Sequence, residues 1–297
     1  MSGKTHKKVL FIINPVSGVS NSKKAGIEKA AMEHLDASEY AVEFVYTESS
    51  NHAFELSRDA SMAGVNIIVA VGGDGTANRV IKGLFGSTSI FALVPAGSGN
   101  GLARYLNVPL DVDESIKLIA KGKTRDIDTV TVNDEIFASI AGVGFDALVA
   151  KKFANAGRRG FFSYFHIALQ AYPSYRPRKY KMVIDGKTVN RKALFVSFAN
   201  SNQFGYNTVI SPAASIEDGL VDVCIVQKAP VISAPYILGL LWRNKLDTSG
   251  YLEIIKAKEV TLLRSKNRKI NLDGEPMKVG KDLNIRVNPG SLKIIVP

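Results

Sequence analysis

The apolar run Ile67 to Val71 passes straight into Gly72, Gly73, Asp74, Gly75 and Thr76, and no other stretch limits the fold as much. Five apolar residues ending in glycines predict a buried strand followed by a loop that is nearly free of side chains. Glycines let a backbone come close to a phosphate, and the bared N–H groups favour anions. Asp74 could hold a hard cation, and the Thr76 hydroxyl could donate to a phosphoryl oxygen. Asp-Gly is also a hairpin signal. However, Ala77 to Leu84 reads as helix, and a hairpin does not need three glycines. The stretch therefore predicts a strand, a phosphate-binding loop and a helix in succession.

The same alternation runs through the first part of the chain. Lys8–Asn14, Tyr40–Tyr46, Ile67–Val71 and Ile90–Val94 read as strands, and Ser22–Leu35, Ala53–Ala63, Gly75–Phe85, Gly101–Tyr105 and Asp113–Lys121 as helices. Such a rhythm implies a parallel sheet with helices on both faces, and ligands bind beyond the carboxyl ends of its strands. From about residue 126 the pattern becomes predominantly β. Strands are expected at Asp128–Val132, Glu135–Ile140, Lys179–Ile184, Lys192–Ala199, Leu220–Val226, Lys258–Arg264, Lys269–Leu272 and Leu283–Val287. Asp185-Gly186 and Asp273-Gly274 are turn-like, and helices are expected near Ala147–Ala154, Gly160–Ala171 and Ser233–Asn244. At 297 residues two domains are expected. They are an α/β nucleotide-binding domain at 1–125 and a β-sandwich at 126–297, with the last strand a candidate to return to the first.

Composition narrows the function classes. The single cysteine, Cys224, excludes an intramolecular disulfide and sits in a strand-like run, so a buried thiol is expected. The four histidines are scattered without metal-ligand spacing. Met1–Lys8 is polar and basic with no long apolar stretch before Asn14, so it is not read as a secretory signal, and no apolar run is long enough to span a bilayer. The expectation is a cytoplasmic protein, peripheral at most to the inner membrane face. The net charge of +11 suits an anionic substrate, an anionic membrane or nucleic acid. Basic residues mix with aromatics between Lys151 and Lys181, as at a lipid interface or on single-stranded nucleic acid, but no nucleic-acid module accompanies them.

Two further strand-end loops suit phosphate. Asn14-Pro15-Val16-Ser17-Gly18 is small and polar ahead of a helix, and Pro95-Ala96-Gly97-Ser98-Gly99-Asn100 offers glycines, a hydroxyl and an amide. Thr47 ends another strand. Each has an ordinary reading as a loop or helix cap; together they would line one sheet edge.

In this order and spacing, these motifs resemble the diacylglycerol kinase catalytic superfamily, which includes soluble bacterial lipid kinases and sphingosine and ceramide kinases. The resemblance extends to Leu102-Ala103-Arg104, Ser215-Ile-Glu-Asp-Gly-Leu220 and Asp273-Gly-Glu275, and covers nearly the whole chain. It implies ATP bound by Asn14, Pro15, Val16, Ser17, Gly18, Thr47, Gly72, Gly73, Gly75, Thr76, Ala77, Asn78, Arg79 and Ser98. Asp74 would sit in the Mg-ATP network together with Asp128, and Glu275 would be the general base. A structural Mg2+ would take the backbone carbonyls of Ser215 and Leu220 and the Asp218 carboxylate. The implied partner is a lipid substrate at a membrane surface, with no nucleic acid and no transmembrane segment; a homodimer is left open.

Two positions depart from the family pattern. Arg79 stands where Glu is common, and Gly101 where bacterial diacylglycerol kinases commonly carry Asp. The acceptor, diacylglycerol or a sphingoid base, is therefore open. An NAD kinase-like enzyme shares Gly-Gly-Asp-Gly and a β-rich second domain, although the Ser98 loop and the Asp218 segment argue against it. A non-catalytic nucleotide- or anionic-lipid-binding protein is the remaining alternative.

Overall fold

The structure is a computed structural model that describes residues 6–16, 21–49, 51–121, 123–156, 160–204 and 208–297. The chain divides into two compact units, Met1–Ile127 with Gly290–Pro297, and Asp128–Pro289.

The first unit alternates β1 (Lys7–Ile13), α1 (Asn21–His34), β2 (Tyr40–Tyr46), α2 (His52–Met62), β3 (Ile67–Gly72), α3 (Asp74–Leu84), β4 (Ile90–Pro95), α4 (Gly101–Tyr105) and α5 (Val112–Lys121), and ends in β5 (Thr124–Val132), whose later residues belong to the second unit. The strands pair in parallel in the order β2-β1-β3-β4. β3 is buried along its whole length, as its unbroken apolar run demands of a central parallel strand. α2 packs on α3, and α1 on α5. The first contact depends on Gly83, where an added Cβ would stand 2.0 Å from the Ser57 hydroxyl and 2.7 Å from the Phe54 carbonyl.

The second unit contains β6 (Glu135–Phe137), β7 (Ile140–Gly144), α6 (Phe145–Ala154), α7 (Phe161–Ala171), β8 (Arg178–Ile184), β9 (Lys187–Ala193), β10 (Phe195–Ala199), β11 (Val221–Val226), α8 (Ala234–Trp242), β12 (Leu252–Ala257), β13 (Glu259–Leu263), β14 (Ile270–Leu272), β15 (Glu275–Met277) and β16 (Leu283–Ile295). The end of β16 returns to the first unit, where Ile294 pairs in parallel with Phe91 of β4. One antiparallel layer runs β12-β11-β10-β7-β14-β15; in the other, β13 lies between β16 and the β8–β9 hairpin. Side chains of both layers share one core that includes Phe137, Met182, Val196, Phe198, Val223, Val260, Leu262 and Ile285. The α/β domain followed by a β-sandwich is thus the fold of this chain. β11 shows the pleat at work: Val221, Val223 and Ile225 enter that core, while Cys224 and Val226 enter a second cluster under α8. Cys224 is fully buried, and burial, with Asp222 beside it, pushes its thiol far above the ordinary range.

Two expected strands are each divided, and β12 and β15 lie outside the expected strands. Glu135–Ile140 is not one strand but the separate β6 and β7, because the backbone between them turns to meet a buried carboxylate described below. Lys192–Ala199 is likewise divided. β9 pairs with β8 in one layer and β10 with β7 and β11 in the other, so the chain changes layers at Leu194. β12 was not foreseen; its Glu253 and Lys256 interrupt the apolar pattern, as edge strands tolerate.

Candidate active site

In the first unit the parallel register continues one residue beyond the strands. Asn14 N donates to Val71 O (3.0 Å), Thr47 N to Ile13 O (2.9 Å) and Ala96 N to Gly72 O (2.8 Å). The loops that begin at Asn14, Thr47, Gly72 and Ala96 therefore leave one edge of the sheet together.

Side chains then tie these loops to each other. Asn14 Nδ2 donates to Thr76 Oγ1 (2.9 Å), while Asn14 Oδ1 accepts from Val16 N (2.9 Å). Gly73 is the extended N-cap of α3, so Asp74, Gly75 and Thr76 form that helix's first turn, followed by Ala77, Asn78 and Arg79. The Asp74 carboxylate accepts from Gly101 N at 2.7 Å. Asn100 adopts the left-handed conformation (φ 52°), and its amide exchanges two bonds with Gly97, from Gly97 N (3.1 Å) and to Gly97 O (2.8 Å). Arg104 Nε closes the turn on Gly99 O at 3.1 Å.

Glycine is required where the loops touch. A Cβ on Gly97 would lie 2.4 Å from Gly73 Cα, and one on Gly99 would lie 2.8 Å from Asp74 Oδ2. Thr47, Thr76 and Asn78 are buried, whereas Ser98 and Val16 are exposed. Pro15 is half-buried. Ser17 and Gly18 lie outside the described residues.

Glu275 belongs to the second unit. It opens β15 directly after Asp273-Gly274, a hairpin turn with both residues at positive φ (44° and 92°). The turn is more than a reversal. The buried Asp273 carboxylate accepts the N–H groups of Ala138 (3.0 Å), Ser139 (2.9 Å) and Ile140 (2.9 Å). Asn200 Nδ2 donates to Ala138 O at 2.7 Å and to Asp128 O at 2.9 Å. This is the carboxylate that separates β6 from β7, and it pins the hairpin that carries Glu275.

Asp128 is buried in the second unit, where its carboxylate accepts from Gly219 N at 2.7 Å and its N–H donates to Ile216 O at 2.6 Å. The structure thus groups Asp128 with the Ser215–Leu220 turn. In that turn Asp218 Oδ1 accepts from Leu220 N (3.1 Å), and Asp218 Oδ2 pairs with Lys256 Nζ (2.8 Å). Among the described residues, no three His, Cys, Asp or Glu side chains gather so as to hold a metal ion. With an ammonium already on its Asp218 carboxylate, this turn does not fit the structural Mg2+ that the resemblance implied.

Asp146 is a buried carboxylate that the sequence reading did not single out. Asp146, in the first turn of α6, accepts two bonds from Asn271 Nδ2 (3.1 and 3.0 Å) and one from the Tyr164 hydroxyl (3.3 Å). Burial raises its carboxyl to about 6, against the opposing effect of the Asn271 and Tyr164 bonds. A Cβ on Gly142 would lie 1.8 Å from Asp146 Oδ2, so glycine there leaves the space for the carboxylate. The signal was the run Gly142-Val143-Gly144-Phe145-Asp146, whose glycines precede a carboxylate at a helix start.

The model of the diacylglycerol kinase catalytic domain matches residues 8–132, and the model of the YegS C-terminal NAD kinase beta sandwich-like domain matches residues 139–296. The chain belongs to the diacylglycerol kinase family. It is 26% identical to the diacylglycerol kinase of Bacillus subtilis (strain 168) over 274 residues, which covers 91% of this chain and 90% of that protein. It is also 26% identical, over 292 residues, to the "Probable lipid kinase YegS-like" of Yersinia enterocolitica, with 94% of this chain and 96% of the relative covered. The crystal structure of a diacylglycerol kinase from Bacillus anthracis str. Sterne has the same fold, with a TM-score of 0.77 at 22% identity over 98% of this chain and 97% of that one. This family member is therefore an enzyme of the lipid kinase class. Among the described residues no helix is long and apolar enough to cross a membrane.

Proposed function

We propose that this chain transfers the γ-phosphoryl group of ATP to a lipid hydroxyl, with Mg2+ on the nucleotide. The observation that carries the reading is the convergence of the Asn14, Gly72–Thr76 and Gly97–Gly101 segments on one sheet edge, held by the Asn14–Thr76 and Asp74–Gly101 hydrogen bonds. Phosphoryl transfer needs positioning and neutralisation of charge more than covalent help. The N-terminus of α3, with the positive end of its helix dipole, favours a phosphate there. The Thr76 hydroxyl and the Arg79 guanidinium add a donor and a positive charge. Asp74 fits an ion that keeps most of its ligands on phosphate and water: it would supply the protein carboxylate, and Mg2+ so held lowers the charge of the triphosphate.

Glu275 is assigned as the base that takes the proton from the lipid hydroxyl as attack proceeds. The Asp273 bonds to residues 138–140 fix the hairpin that presents it. The acceptor comes from the lipid phase, and α8 suits contact with it. None of its nine residues is buried. Ile237 and Leu241 lean on the unit's second cluster, while Tyr236, Leu238 and the 92%-exposed Trp242 face outward beside Arg243. Aromatic, aliphatic and cationic side chains together match the headgroup boundary of an anionic bilayer.

The test is incubation with labelled ATP and Mg2+ against diacylglycerol, a sphingoid base, ceramide, monoacylglycerol and NAD, with products identified by mass spectrometry. A phosphorylated lipid is expected. Phosphorylated NAD would assign the alternative enzyme, and ATP binding without ADP release would leave a binding protein.

A further inference from the structure

We infer that the Lys256 ammonium is the resident cation of the Ser215–Leu220 turn, so this turn folds without a divalent metal. The inference goes beyond the kinase reading and does not depend on it.

Three observations carry it. First, Lys256 on β12 lies directly across from Asp222 on β11, so strand register delivers the ammonium to this place. Second, all three donors of the ammonium have acceptors: Asp218 Oδ2 at 2.8 Å, Asp222 Oδ1 at 3.3 Å and Ala213 O at 3.3 Å. Third, the arrangement is needed. The Asp222 side chain is 2% exposed, and a buried carboxylate requires both a counter-charge and hydrogen bonds. Ser211 Oγ supplies one bond to its other oxygen at 2.5 Å, and Lys256 supplies the charge. The remaining Asp218 oxygen accepts from Leu220 N.

The Asp218 carboxylate, the one side chain that the resemblance gave to Mg2+, thereby finds its counter-charge within the chain. Lys256 joins the Asp218 turn to the buried Asp222 and to the carbonyl at residue 213, as a bridging ion would. Entry of Mg2+ would force the ammonium away from acceptors it already satisfies, or place two cations side by side. Burial acts to lower the Lys256 pKa, but Asp218 and Asp222 outweigh it and the net shift is upward, so the charge is secure at neutral pH.

The test is thermal unfolding of the full-length protein without nucleotide, in excess EDTA and in millimolar Mg2+ at matched ionic strength. The wild type should melt at the same temperature in both. Lys256→Met keeps the stem and removes the charge; it should melt well below wild type in EDTA, and Lys256→Arg should stay close to wild type and insensitive to metal. A saturable rise in the wild-type melting temperature with Mg2+ that Asp218→Asn abolishes would overturn the inference, and so would a Lys256→Met protein as stable as wild type. If Lys256→Met does not fold, the wild-type and Asp218→Asn measurements still decide the question. None of these readouts uses activity, so an inactive kinase and a wrong cation assignment remain distinguishable.

Discussion

The chain contains four Asp-Gly dipeptides, and the two units use them in opposite ways. In the α/β unit, Asp74-Gly75 opens α3 and is not a turn. Its carboxylate accepts the N–H of Gly101 in a neighbouring loop, and the glycines around it bring two loops into backbone contact. In the β unit, Asp185, Asp218 and Asp273 all sit in reversals, and their carboxylates accept backbone N–H groups: Lys258 and Glu259 for Asp185, Leu220 for Asp218, and residues 138–140 for Asp273. In the one region the carboxylate ties two loops together, and in the other the carboxylates satisfy the backbone of reversals. On the proposed reading, the same dipeptide marks a nucleotide site only where a parallel strand delivers it to a helix start.

That contrast can be broken by substitution. The largest effect is expected for Asp74→Ala and Glu275→Gln, the one in the ligand-facing loop and the other on the hairpin. For Glu275→Gln, loss of a general base costs roughly 10²–10⁴-fold in rate, so kcat for lipid phosphorylation should fall by about that much with an unchanged melting temperature; Asp74→Ala should lose turnover and also some stability, because it strands the Gly101 N–H. Turnover retained by either variant removes that residue from the mechanism.

Asp273→Ala should give the next largest signal, and it sharpens the comparison from the structural side. It strands three N–H groups at about 1–3 kcal/mol each, with a fall in kcat because Glu275 loses its support. If stability falls and kcat does not, the hairpin does not position the base.

Asp146 should give the signal after that, and it reads out in stability. Its folded carboxyl lies at about 6 against an ordinary 3.8. Below pH 4 both states are protonated and the fold loses nothing. Between pH 4 and 6 the unfolded chain ionises first, so stability drops as pH rises, by roughly 3 kcal/mol in total. Urea unfolding of wild type and Asp146→Asn across pH 4–7 should show a gap that grows in the variant's favour; parallel curves would contradict the buried acid.

Gly97→Ala should destabilise by less than Asp273→Ala, about 1–3 kcal/mol, because its Cβ meets the Gly73 backbone. Unlike Asp273→Ala, it should raise the KM for ATP more than it lowers kcat. The smallest effect on stability, within about 0.5 kcal/mol, is expected for Trp242→Ser on the exposed side of α8. Its signature is weaker sedimentation with anionic vesicles, and unchanged sedimentation would remove α8 from the membrane face.

The α/β unit was legible because β1, β3 and β4 are built on uninterrupted apolar runs (Val9–Ile13, Ile67–Val71 and Ile90–Val94), each followed by turn residues and a helix. The β unit was less so. Its strands are short, and what divides them lies far away in the chain: Asp273 breaks β6 from β7 across more than a hundred residues, and the change of layer at Leu194 depends on pairing with Gly144 and Val226. Asp128 shows the same limit, since its partner Gly219 is 91 residues away.

Local pattern was enough to establish the order of strands and helices, the glycine-lined loops and the family likeness, because apolar period and turn chemistry act over a few neighbouring residues. Which carboxylates clamp backbone, that Asp146 is buried, and that a lysine supplies the cation beside Asp218 were decided only in three dimensions. Charge and hydrogen bonding act through space, and these partners are distant along the chain.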